Sequence, residues 1–221
     1  MDIQTESMNF LVLIGSRARG DASERSDTDV LVVGSPFPGG LEDLSRFAGH
    51  LNVVSYDVDT FSYLQECGSL FLQHCFLEGI LVAGAERLWG QLKSRFVVQR
   101  DFSREVQKCA AACRLFLRPA VFGGHYLAPC INAYTQVKNA SIFFLAHHGR
   151  YTFNKSQAIW DAAEYVRFSH VKTLISLIDV YDYSVRWVDI PLPFPLDDKE
   201  AGSQVLGSVT DFMRSLCDAC S

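Results

Sequence analysis

A chain of 221 residues suits one larger domain or two small ones, each able to bury a core. Hydrophobic residues at 48% and charged residues at 20% are the proportions of a folded globular protein and exclude a disordered chain. A formal charge of −5 argues against a general nucleic-acid binder, which would carry a basic stripe. The N-terminus has no charged-then-apolar leader and no later segment approaches a membrane span in length. A cytoplasmic protein with no membrane partner is therefore expected.

The first predicted element is a strand over Phe10–Ile14, five apolar residues in a row. It delivers the pair Gly15–Ser16, and a polar loop or short helix leads on to Asp27. A second strand carries the apolar run Val30–Val33, with Asp27 and Asp29 at its opening. Side chains alternate along a strand, which puts Asp27 and Asp29 on one face. Two carboxylates on one face suit magnesium, a hard cation that takes oxygen ligands and keeps the rest of its shell for water and phosphate. The Gly15–Ser16 turn offers a small hydroxyl and backbone amides along which a triphosphate could lie. Arg17, Arg19 and Arg25 make a local positive patch beside it.

From Gly15 to Asp29 the chain reads GSRARGDASERSDTD, and this stretch resembles the signature of the DNA polymerase β-like nucleotidyltransferase superfamily. It is most similar to the small members called minimal nucleotidyltransferases, with Gly15–Ser16, Arg19–Gly20, Ser26 and both aspartates in place. A Gly-Ser pair or an Asp-x-Asp alone occurs by chance in many proteins; the joint pattern between two strands is specific. The resemblance implies magnesium-dependent transfer of a nucleoside monophosphate from a nucleoside triphosphate to an acceptor hydroxyl, with release of pyrophosphate. It implies two magnesium ions on Asp27 and Asp29, Gly15, Ser16 and Arg19 around the nucleotide, and ATP as the default nucleotide. It also implies a third metal carboxylate on a neighbouring strand.

Leu41 to Ala48 has helical spacing, and Leu51–Tyr56 reads as a third strand. That strand runs into Asp57-Val58-Asp59, where Asp57 is the preferred third ligand because it lies closer to the strand body. Asp59 is the alternative. Both could instead sit in a turn before a helix that Asp59 or Thr60 caps. The segment from Gly68 to Gly79 predicts a helix with a glycine stop, then a short strand, and similar segments follow the third strand in relatives. His74 and Glu78 lie four apart on that helix; an amphipathic helix packed on the sheet explains them better than a metal pair does.

Beyond Arg100 the apolar residues recur at helical spacing, predicting helices over 103–116, 128–147, 155–178 and 199–218. Gly123–Gly124 and Gly149–Arg150 separate the first three, and a proline-rich connector over 189–195 precedes the last. This half resembles, in architecture alone, the helical domains of antibiotic nucleotidyltransferases and of related toxin–antitoxin proteins. Lys138 interrupts an apolar stripe of Ile131, Tyr134, Ile142 and Leu145. It either snorkels to the rim or, by analogy with the two-domain enzymes, contacts the triphosphate. His147–His148 suits the negative end of its helix. Arg167-x-x-His170 is too short for the RNase motif of some fused helical domains. Seven cysteines, an odd number, read as reduced thiols rather than as disulfides, and Cys109, Cys113, Cys217 and Cys220 as thiols rather than zinc ligands.

The expected fold class is α+β: a small mixed β-sheet domain with helices on it over residues 1–100, followed by a helical bundle over 101–221. The acceptor is a small molecule or a partner protein, with RNA disfavoured by the low charge, and a homo-oligomer is left open. The rival from another functional class is a non-catalytic, antitoxin-like regulator that binds nucleotide through an intact Gly-Ser loop and needs no third carboxylate.

Overall fold

The computed structural model describes residues 8–24, 26–34, 50–116 and 118–220. The expected helix over 41–48 and the side chain of Arg25 lie outside the described residues. Two compact units divide the chain, Met1–Gln99 and Arg100–Ser221.

In the first unit β1 (Phe10–Ile14) is buried along its whole length. Phe10, Val12 and Ile14 join one core with Leu31 and Val33, while Leu11 and Leu13 join a second with Val30. A strand buried on both faces needs no polar alternation, which is why its sequence is uniformly apolar. β2 (Thr28–Val33) runs antiparallel to β1, with Ile14 opposite Asp29. β3 (Leu51–Tyr56) runs parallel to β2, with Asn52 beside Asp29 and Tyr56 beside Val33. β4 (Ile80–Gly84) pairs antiparallel with the other edge of β1, giving a mixed sheet in the order β3-β2-β1-β4.

Five residues of α1 (Gly15–Arg19) link β1 to the loop before β2. α2 (Val58–Glu66), α3 (Leu70–Glu78) and α4 (Glu86–Arg95) pack on the Phe10 face, where Phe61, Phe76 and Trp89 form an aromatic core. The rings of Phe76 and Trp89 lie 4.8 Å apart and those of Phe10 and Trp89 5.2 Å. Gly68, at φ +65°, lets the chain near Val97–Gln99 pass against its Cα, and Gln99 N donates to its carbonyl at 2.9 Å. The last residues of the unit are thereby tied to the turn between α2 and α3.

The second unit is helical: α5 (Ser103–Phe116), a 3-10 turn over Pro119–Phe122, α6 (Leu127–His147), α7 (Lys155–Tyr165), α8 (Val171–Val185) and α9 (Lys199–Ala219). α6 is the central element and packs against α5, α7, α8 and α9. The single helix expected over 155–178 is two. Arg167 takes a left-handed φ of 55°, Arg167 N closes on Glu164 O at 3.1 Å, and Phe168 N reaches back to Ala163 O at 2.8 Å. This is a helix stop built without the usual glycine, and burial of Phe168 against Phe212, 5.2 Å between rings, holds it. No helix among the described residues is long and apolar enough to cross a membrane.

Candidate nucleotide site

The site is built where β1 ends. Ile14 is extended, and Gly15 turns the chain at φ +73° into α1. A Cβ on Gly15 would stand 2.7 Å from Asp29 Oδ2, closer than a Cβ approaches another heavy atom. Glycine is therefore required twice over, by its left-handed backbone and by the carboxylate that lies against it. α1 closes at Gly20, φ +79°, and Asp21 N donates to Ser16 O at 3.1 Å. So short a helix exists to bend the chain around Asp29.

The loop from Gly20 to Asp27 is held internally. Arg17 Nη2 donates to Ser26 O at 2.8 Å, and Ser23 N donates to Ser26 Oγ at 2.9 Å. Thr28, wholly buried, enters β2 with its N–H on His50 O at 2.8 Å. Asp27 stands half-buried immediately before the strand and Asp29 half-buried within it, beside the Gly15–Ser16 turn. Gly15 and Asp29 thus meet at one end of adjacent antiparallel strands, with Ser16 following Gly15 and Asp27 two residues before Asp29.

Arg19 is engaged elsewhere. Its Nη1 donates to Glu78 Oε2 at 2.9 Å and its Nε to Asp21 Oδ2 at 3.1 Å, while His74 Nε2 lies 3.2 Å from the same Glu78 oxygen. Burial opposes the charge on Arg19, but the two carboxylates outweigh it and hold the pKa above the ordinary arginine value. Burial likewise works against ionised Glu78, and hydrogen bonds from His74 and Arg19 overcome it, so its pKa falls below the usual glutamate value. Of the arginine patch read from the sequence, Arg19 is compensated by two carboxylates and ties α1 to α3, while Arg17 ties α1 to the loop through a backbone carbonyl. The pair His74–Glu78 anchors Arg19 and is not arranged as a metal pair.

Asp57 does not join Asp27 and Asp29. It caps α2, with Oδ1 accepting from Thr60 N at 2.7 Å, and hydrogen bonds from the Thr60 side chain and backbone lower its pKa. β3 is parallel to β2, so the start of β3 lies beside Asp29 and its end lies beside Val33. Asp57 follows that end, about 16 Å along the strand from Asn52 at the usual rise per residue, and Asp59 lies further on in the first turn of α2. Face parity in the sequence is right for both residues; strand direction rules both out. The residue beside Asp29 is Asn52, whose Nδ2 donates to Asp29 Oδ1 at 2.9 Å. The sequence holds the signal that finds it: more than a dozen residues separate Val33 from Leu51, the length of a crossover between parallel strands rather than of a hairpin.

Asp27 and Asp29 supply two hard oxygen donors beside a glycine cradle, which fits one magnesium ion completed by water and phosphate oxygens. No group of three or more His, Cys, Asp and Glu residues among the described residues is arranged to hold a metal. Lys138 belongs to the second unit, half-buried on α6. Burial lowers its pKa below the ordinary lysine value, repulsion from Lys155 adds to this, and Cys109 opposes it. His148 caps α6, stacks on Tyr165 with 4.4 Å between rings, and meets its hydroxyl through Nδ1 at 3.1 Å. Cys109 and Cys113 on α5 are buried, and Cys217 on α9 and Cys220 at its C-cap are half-buried; burial pushes Cys109 and Cys220 up to about 11 and Cys113 up to about 12. Thiols held so high stay protonated at neutral pH and are poor nucleophiles.

Residues 3–87 match the family described as Polymerase beta, Nucleotidyltransferase. The match runs from before β1 through β4 and contains the Gly15–Ser16 turn, both aspartates and Asn52. Residues 3–87 of the first unit thus match a nucleotidyltransferase domain, consistent with the polymerase β-like superfamily. No curated protein matches the chain.

Proposed function

We propose that this protein binds a nucleoside triphosphate with magnesium at Asp27 and Asp29 and transfers its nucleoside monophosphate to an acceptor hydroxyl, releasing pyrophosphate. The observation that carries this reading is the packing of Gly15 on Asp29 Oδ2, which fixes a carboxylate of the strand against the turn where the phosphates would lie. Ser16 adds a hydroxyl at that turn, and the first amides of α1 have no side-chain cap. Magnesium, when bound, neutralises triphosphate charge and favours its build-up on the departing pyrophosphate. Asp27 and Asp29 orient it, and the Arg17 and Arg19 tethers keep the turn in place so that little reorganisation is needed during transfer. In the transfer, the acceptor hydroxyl gives its proton to water and its oxygen bonds the α-phosphorus as the bond from that phosphorus to the bridging oxygen breaks and pyrophosphate leaves. ATP is the default nucleotide, and the compact acceptors, a small molecule or a protein side chain, suit a chain of low charge.

A second reading has its own observation. Asn52 stands where a third carboxylate would complete the metal set, and this favours a regulator that binds nucleotide without transferring it. Pyrophosphate release separates the two. With nucleoside triphosphate, magnesium and candidate acceptors, the transferase releases pyrophosphate and Asp29→Asn abolishes that release without unfolding the protein. Nucleotide binding with no release for any acceptor sinks the transferase reading and leaves the regulator.

A further inference from the structure

We propose that this chain holds a single divalent cation with its nucleotide, and that the Asn52 amide is what keeps a second one out. The inference rests on the reading of Asp27 and Asp29 as the nucleotide–metal site. A two-metal phosphoryl-transfer site needs shared carboxylates and further ligands so that two ions can sit about 3.5–4 Å apart. Here Asp29 Oδ1 receives an N–H from Asn52 at 2.9 Å, and Oδ2 lies over Gly15. Only the NH2 end of an amide can donate to a carboxylate, so chemistry fixes the orientation of Asn52: its partly positive nitrogen, not its carbonyl oxygen, faces Asp29.

Among the described residues, the strands on that face offer no further carboxylate. Next to Asp29 the same face presents Ile14 and then Val12 from β1 and Val54 from β3. A second cation beside Oδ1 would meet an N–H dipole of the wrong sign on one side and an isoleucine on the other. It would also lack one formal negative charge, and two dications so close repel strongly unless carboxylates compensate. The first cation suffers none of this, because triphosphate oxygens bring their own charge to it. The chain therefore keeps its nucleotide, while activation of an acceptor hydroxyl falls to the acceptor or to a partner that supplies the missing ligand.

The test counts manganese ions, in place of magnesium, on the full chain saturated with the non-transferable α,β-methylene analogue of ATP. Equilibrium binding and electron paramagnetic resonance give both the number of ions and whether they are coupled. Wild type is expected to take one ion with the spectrum of an isolated centre. Asn52→Asp, with its fold checked by circular dichroism, is expected to take two that are magnetically coupled. Two coupled ions on wild type overturn the inference and leave the nucleotide-site reading intact. No ion on wild type overturns both. A folded Asn52→Asp that still takes one ion overturns the role given to the amide. The wild-type count decides the stoichiometry even where the variant fails to fold.

Discussion

Replacing Gly15 by alanine tests the geometry on which the site depends. Two penalties follow from the structure. At φ +73° a Cβ costs about 1–2 kcal/mol in the left-handed region. The same Cβ would stand 2.7 Å from Asp29 Oδ2, and forcing the carboxylate away adds about 1–3 kcal/mol, the usual cost of overpacking. Gly20→Ala is the internal control: φ is +79° and nothing lies within 4 Å of its Cβ, so only the first penalty applies. Urea unfolding followed by Trp89 fluorescence reports on the first unit, because Trp89 is buried in its core. Trp160 and Trp187, both exposed, are first changed to phenylalanine. Gly15→Ala is expected to lose about 2–5 kcal/mol and Gly20→Ala about 1–2 kcal/mol. In an Asp29→Ala background the Gly15→Ala penalty should fall to that of Gly20→Ala, a coupling of about 1–3 kcal/mol. Equal losses at the two glycines, or no coupling in the cycle, would refute the claimed contact.

Three further outcomes follow from named contacts. Glu78 titrates below its unfolded value, so its contribution to stability is complete above about pH 4.3 and is lost as the pH falls through the lowered native value. Glu78→Gln should cost about 1–3 kcal/mol at pH 7, with the gap to wild type closing in acid; parallel stability curves across pH would contradict the pairing with Arg19. Asp57→Ala removes the α2 cap and should lower the melting temperature slightly while leaving magnesium-dependent nucleotide affinity unchanged, and a large loss of affinity would return Asp57 to the metal site. Gly202→Ala on α9 gains about 1 kcal/mol of helix propensity. It also drives a Cβ into the buried Tyr126 ring, at an overpacking cost of about 1–3 kcal/mol. Net destabilisation in thermal unfolding is expected, and a clear rise in melting temperature would show that the ring yields.

What the sequence made legible was local. Phe10–Ile14, the Gly15–Ser16 turn and the two aspartates before Val30 are contiguous, and nearest-neighbour rules of alternation and turn chemistry suffice for them. The helices that end at Gly79 and just before Gly149 carry their own stop signals, and Gly123–Gly124 marks the connection between α5 and α6. Legibility ended where a long-range partner decides. Asn52 became the neighbour of Asp29 only through the parallel pairing of β2 and β3, and the same pairing carried Asp57 to the far end. Arg19 looks like a phosphate ligand until Glu78, 59 residues later, is seen to hold it. α4 carries Gly90 in its middle and is stabilised by burial of Trp89 and Leu92 rather than by propensity. The break at Arg167 has no glycine or proline to announce it, because tertiary packing of Phe168 sustains the left-handed residue.

The most direct measurement of the central claim is calorimetric titration of a non-transferable ATP analogue into wild type and into Asp27→Asn/Asp29→Asn, each with magnesium and with a chelator. Binding to wild type that requires magnesium and disappears in the folded double variant is the predicted result. Affinity that survives the chelator, or that is the same in both proteins, would contradict the placement of the nucleotide–metal site at Asp27 and Asp29.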